Sequence, residues 1–203
     1  MYKVQEQLMP SNLPGFSKEQ ISDHWNLYEG YVKQVNKFNE ELLKLQKTGE
    51  GDSLIYADRR RRLGFEYNGM VLHEYYFENL QGGENTILDK NLKKEIAKTW
   101  GSYQNWLQDF INTGKTRGIG WAILYIDPTT HQLINAFIQD HELGHVAGFA
   151  PLLVMDVWEH AYMVDHTASG RADYIDAFIK NINWTVVEKR FEDAINGKIS
   201  KRF

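Results

Sequence analysis

The stretch PLLVMDVWEHAYMVDHTASGRADYIDAFIKNINW, Pro151 to Trp184, is where the reading of this chain turns. Its first five residues are a short apolar run, as expected of a buried strand. The run ends on Asp156, and His160 follows four residues later, in DVWEHAY. A carboxylate just past a buried strand costs several kcal/mol to desolvate unless something neutralises it. A cation would do so; the alternative is an Asp156 that caps the next turn beside a His160 hydrogen-bonded in the core. Further along, Tyr174 to Ile182 and Val186 to Ile195 read as helices, with Asn183 and Trp184 between them.

Upstream, GWAILYID (Gly120 to Asp127) and QLINAFIQ (Gln132 to Gln139) are apolar or alternating runs joined by PTTH, the pattern of a β-hairpin. With PLLVM they make a small three-stranded antiparallel sheet. Before the hairpin the period is helical. Ser17 with Gln20 three residues on resembles a capping box opening a helix from about Lys18 to about Gln46. KTGEGD closes it, and Leu72, His73, Tyr76, Phe77 and Leu80 place a second helix over about Gly64 to Leu80. A third helical pattern runs from Asp89 to about Asn112. QGGEN, Gln81 to Asn85, is the best linker in the chain. The expected fold class is α+β. An N-terminal helical hairpin domain (1–82) precedes a C-terminal domain (83–203) whose three-stranded antiparallel sheet is flanked by helices.

The 203 residues include 13% aromatic side chains, enough rings to line a dry pocket. A formal charge of −4 gives no general attraction to nucleic acid or anionic membrane, and the isolated run Arg59 to Arg62 reads as a solvated turn flank. The absence of cysteine excludes disulfides, thiolate metal sites and cysteine nucleophiles, so any metal must be held by nitrogen and oxygen. MYKVQEQLMPSNLPGF shows no secretory apolar core and no segment approaches a membrane span, so a cytoplasmic location is expected.

Seven histidines can be weighed one by one. His131 falls in the hairpin turn and His166 in a polar loop, both as surface residues. His24, in ISDHWNLYEGY, and His73, in LHEYYF, lie inside predicted helices; Tyr28 and Tyr31 share a helix face with His24. Taken alone, each is more often a hydrogen-bonded core residue than a ligand. Together His24, His73, His160 and Asp156 supply three imidazoles and one carboxylate, a set suited to Fe, Mn or Zn rather than Mg or Ca.

HELGHVAGFAP, His141 to Pro151, matches the zinc-peptidase pattern H-E-x-x-H, which needs both histidines one turn apart on a helix with Glu142 as general base. Gly144, Gly148 and Pro151 make that helix a poor one, and it is squeezed between two strands. Pro151 also stands where the longer pattern has its third histidine. A zinc metallopeptidase therefore stays only as a minor alternative.

DVWEHAY, with the arginine, aspartate and tyrosine of Arg171 to Tyr174 and with Asn183-Trp184, closely resembles the C-terminal signature of the iron/manganese superoxide dismutase family. GIGWAIL, Gly118 to Leu124, is similar to that family's tryptophan-bearing strand. The resemblance implies disproportionation of superoxide at one Fe or Mn ion per subunit, in a single site between the two domains. His24, His73, Asp156 and His160 would be the ligands, with a solvent molecule as the fifth. It implies roles beside the metal for Tyr31 and for His141, which falls where the family places a residue bonded to that solvent. Trp121 and Trp158 would wall the pocket and Arg171 would sit at the substrate funnel. Glu159 and Tyr162 would lie at the interface of a homodimer or tetramer. A catalytically altered, metal-binding member of the same fold is the principal alternative.

Four features depart from the family pattern. His24 and Tyr31 are seven residues apart instead of eight, implying a missing bulge residue. The gateway histidine is absent, its place falling at Leu27 or Tyr28. Ala172 replaces a proline. The glutamine that other members carry at position 69 is a glycine.

Overall fold

In the computed structural model, which describes residues 1–80 and 86–198, Ser17 opens helix α1 (Lys18–Lys47) by accepting a hydrogen bond from the Gln20 amide. Only half of the expected capping box forms. The Gln20 side chain turns instead to the His160 loop, donating to the His160 carbonyl (2.7 Å) and accepting from the Val164 amide (3.0 Å). α1 runs without interruption past His24 and Tyr31 and packs along α2 (Leu54–Leu80).

α2 begins ten residues earlier than its apolar periodicity predicts, and the arginine run is part of it rather than a turn flank. Its first turns bury little, with Leu54 and Ile55 exposed, so no core-facing stripe marks them. Surface pairings occupy them instead. Arg59 Nε donates to Glu41 Oε2 of α1 at 2.7 Å, and Arg62 Nε donates to Glu66 Oε1 one turn on. The predicted linker, Gln81 to Asn85, lies outside the described residues.

The third helical pattern divides into α3 (Asn91–Trp100) and α4 (Tyr103–Gly114). Gly101 adopts φ +81°, a left-handed conformation that ends α3 at no steric cost, and Ser102 caps α4 by accepting from the Asn105 amide. The hairpin and third strand appear as expected: β1 (Gly120–Ile126), β2 (Leu133–Gln139) and β3 (Ala150–Asp156), in the antiparallel order β2-β1-β3. Pro151 is tolerated because β3 is an edge strand and the register slips beside it, between Leu124 and Tyr125. Two final helices follow, α5 (Arg171–Lys180) and α6 (Trp184–Ile195), each starting earlier than predicted. Asn183 is the α6 cap, its side chain accepting from the Thr185 and Val186 amides.

One apolar cluster joins all these elements, with β1 buried along its whole length. α2 and α6 cover β3, while α4 packs on β1 and β2. Buried Arg190 of α6 bridges them: it pairs with Glu78 and donates to Asn79 Oδ1 of α2 and to the Leu152 carbonyl of β3. That network, with Asn79 donating to the Val154 carbonyl, ties the middle of β3 to the helical hairpin. No described helix is long and apolar enough to cross a membrane.

Candidate metal centre

Four side chains converge where the helical hairpin meets the end of β3. His24 comes from α1, His73 from α2, Asp156 from the last position of β3, and His160 from the short 3-10 turn Glu159–Ala161. One donor atom from each lies within 4.8 Å of the others, a group able to hold one metal ion. His24 Nε2 and His160 Nε2 each lie 3.1 Å from Asp156 Oδ2, and His73 Nε2 lies 3.7 Å from it. For bonds of about 2.1 Å, donors at right angles stand about 3.0 Å apart, so these separations fit one ion. His24, His73 and Asp156 are buried; the His160 side chain keeps 20% of its exposure and forms the rim.

His24 Nε2 and His160 Nε2 turn to Asp156 Oδ2, and one inward-facing atom is left bare. His73 Nδ1 is 2.6 Å from the Gly69 carbonyl and must donate to it, so Nε2 carries a lone pair, fully buried and without a partner. Asp156 Oδ1 accepts from the Trp158 amide at 2.8 Å, reserving Oδ2 for the centre. Tyr174 donates to the Asp156 carbonyl at 2.5 Å and Gln20 to that of His160, so both ends of the DVWEH turn are pinned. Gln20 is a supporting residue that the sequence disguised as a cap; its one signal is a position one helical turn before His24.

Burial pushes the His24 and His73 imidazoles below their usual range, so both are neutral at pH 7. Burial also works to raise Asp156, but the His160 and His24 hydrogen bonds and charges outweigh it and hold the carboxyl well below its ordinary range. A neutral His24 and His73 beside an ionised Asp156 are in the protonation states that metal binding requires.

His141 is fully buried beside this group, with its ring between those of Phe65 (4.5 Å) and Trp158 (4.8 Å). Trp121 Nε1, a donor only, points at His141 Nδ1 from 2.9 Å. The His141 proton therefore sits on Nε2, where it is donated to the Tyr31 hydroxyl at 2.7 Å. Burial takes the His141 pKa down to about 4, so the ring is neutral. Trp121 faces Asp156 directly across the β1–β3 ladder, which places the two side chains on one sheet face.

HELGH forms no helix. It is the turn between β2 and β3, with His141 buried and Glu142 and His145 exposed, so the two rings do not converge on an ion. Tyr28 shares the buried face of α1 with His24, both rings packing on Phe77, and its hydroxyl accepts from the Gln5 amide and donates to Glu74. Leu27 is exposed, so neither residue stands in for the gateway histidine. Arg171 donates through Nη1 to the Gly118 carbonyl, while its Nε and Nη2 are buried without partners. Glu159 is exposed; Tyr162 is buried against Tyr174 at 5.5 Å.

Gly69 has a steric cause. A Cβ there would meet Tyr31 ring carbons at 2.6 and 2.7 Å, so the Tyr31 ring occupies the space a side chain would need. We predict that Gly69→Ala displaces Tyr31 and costs about 1–3 kcal/mol by overpacking, measured by denaturant unfolding. Unchanged stability together with unchanged activity would refute it. Asn68, next along α2, donates to the His141 carbonyl at 2.7 Å; the sequence offered no signal for this contact, which joins elements 73 residues apart.

Fold and donor set together describe an α+β protein with, among the described residues, one buried group of three histidines and one aspartate able to hold a metal ion. Residues 88–190 match the family described as iron/manganese superoxide dismutases, C-terminal domain. The chain is 38% identical to the Superoxide dismutase [Fe] of Aquifex aeolicus, over 96% of this chain and 94% of that protein. It is 35% identical to the Superoxide dismutase [Fe] of Pyrobaculum aerophilum, over 87% and 84%, and 31% identical to Superoxide dismutase [Mn] 2 of Haloferax volcanii, over 90% of each. The chain belongs to the iron/manganese superoxide dismutase family.

Proposed function

We propose that this chain disproportionates superoxide to dioxygen and hydrogen peroxide at one iron or manganese ion held by His24, His73, Asp156 and His160. The observation that carries this reading is the bare, buried Nε2 of His73 facing Asp156 and two further imidazoles, in a chain whose relatives bear iron and manganese superoxide dismutase names. Bound there, either metal supplies one-electron redox chemistry, which zinc does not.

The chain's own residues manage the anion and its protons. Trp121 and Trp158 exclude water from the buried side. Tyr31 stays protonated because burial raises its pKa. Its oxygen accepts from His141 Nε2, so its own proton is free for the substrate, whose reduction to peroxide takes up two. His141 cannot relay a proton inward, because its Nδ1 is closed by an indole N–H. Tyr31 is therefore recharged from solvent along its half-exposed side.

The unpartnered Nε and Nη2 of Arg171 support a role in drawing superoxide towards the site despite the net charge of −4. Arg171→Ala is expected to lower kcat/KM about tenfold and flatten its dependence on ionic strength. An unaltered salt profile would remove Arg171 from this role. Exposed Glu159, Met163 and Val164, in and just after the His160 turn, support a homodimer or tetramer, to be tested by light scattering. A cytoplasmic location belongs to the same proposal. The deciding experiment is a superoxide assay of protein reconstituted separately with Fe and Mn. If neither form consumes superoxide, the reading falls in favour of an altered metal-binding member; stoichiometric zinc with proteolysis abolished by Glu142→Gln would favour the peptidase.

A further inference from the structure

His145, the second histidine of HELGH, has no place in the chemistry above, yet both of its ring nitrogens are engaged. Nε2 lies 3.0 Å from the His141 carbonyl and Nδ1 lies 3.0 Å from the Tyr125 hydroxyl. A carbonyl only accepts, so Nε2 carries the proton and Nδ1 accepts from Tyr125. Tyr125 and Trp121 stand four residues apart on β1, which puts them on the same strand face. β1 therefore grips His141 twice: Trp121 holds the ring, and Tyr125 holds the peptide through His145.

The turn that presents His141 needs such a grip. Asp140 has φ +52°, unusual for a non-glycine residue, and Gly144 has φ +105°, where a Cβ would meet the Phe137 carbonyl at 2.6 Å. Backbone of this kind persists where surrounding contacts over-determine it. The His141 carbonyl has two such contacts, Asn68 from α2 and His145 from within the turn.

We propose that His145 is a positioning residue that holds His141 in place between Trp121 and Tyr31. Its ring lines an open cleft of about 300 Å³ with Tyr75, Tyr125 and Phe149, so it can be replaced without opening the core. The inference rests on the superoxide reading for its kinetic consequence and on the turn geometry alone for its structural one.

The test compares His145→Ala, His145→Gln and Tyr125→Phe in the iron-loaded protein, by EPR of the ferric form and by kcat and KM. His145→Ala is expected to keep full iron content, alter the EPR spectrum and lower kcat about tenfold with little change in KM, the scale of effect that small misplacements near a reacting centre produce. Glutamine sets an amide N–H near the position of Nε2 and is expected to recover most of the loss. Tyr125→Phe should shift the same spectrum in the same direction, by less. An unchanged spectrum and kcat in His145→Ala, or a His145→Gln variant as impaired as the alanine, would overturn the proposal. If the wild type consumes no superoxide, the function reading fails, while the EPR comparison still decides the positioning role.

Discussion

Asp156→Asn is expected to abolish stoichiometric iron or manganese binding and to lower superoxide consumption at least about a hundredfold, with little harm to the fold. Asp156 supplies the single negative charge among four donors, and its Oδ2 is the atom nearest to all three imidazoles. Asparagine keeps the shape and keeps Oδ1 for the Trp158 amide, but it takes away the charge that offsets a cation. The His160 and His24 contacts hold the carboxyl well below its ordinary range, so its charge contributes to the metal-free fold, and the metal-free variant should melt somewhat below the metal-free wild type. Metal should then raise the melting temperature of the wild type, by the linkage that binding to the folded state alone provides, and not that of the variant. Metal content by elemental analysis and paired melting curves check both halves. A variant that retains metal and activity would show that Asp156 is not a ligand. His160→Ala should lose metal in the same way.

Some of this was legible in the sequence because it depends on local periodicity. The two hairpin strands alternate or run apolar between turn residues, and Ser17 sits directly before a helical face, so these boundaries fell within a residue or two. The four converging side chains were legible for a different reason. A carboxylate closing an apolar strand and histidines on aromatic helix faces are costly unless something binds them, and that cost shows in the sequence.

What escaped lacks an apolar signature. The first ten residues of α2 carry Arg59 and Arg62, which pair with Glu41 and with the buried Glu66 and add no apolar stripe. The α3–α4 break was hidden because Leu92, Ile96, Trp106 and Phe110 keep facing the core on both sides of Gly101. Gln20, Asn68 and His145 act through carbonyls of other segments or turns. No residue-level preference reports a hydrogen bond across 140 positions, as between Gln20 and His160.

His141→Ala is expected to leave metal content nearly intact and to lower activity about 10- to 100-fold, the range seen when a group that orients a metal site is lost. None of the four donors bonds to His141; its ring bonds to Trp121 and Tyr31. The alanine variant should lose about 2–4 kcal/mol of stability, because it opens a cavity between Phe65 and Trp158 and leaves the buried indole N–H unpaired. A pH comparison isolates the histidine itself. Its pKa is about 4 in the folded protein and near 6.5 when unfolded, so between those values the unfolded chain binds more protons. The contribution is therefore fully present above pH 6.5 and fades as pH falls towards 4, by about 3 kcal/mol in total. His141→Gln keeps an amide for Tyr31 and cannot titrate, so wild type minus variant in denaturant unfolding of the metal-free protein should show this slope alone. A flat difference across that window would mean that His141 is not held neutral by burial. Complete metal loss in His141→Ala would instead place His141 among the ligands.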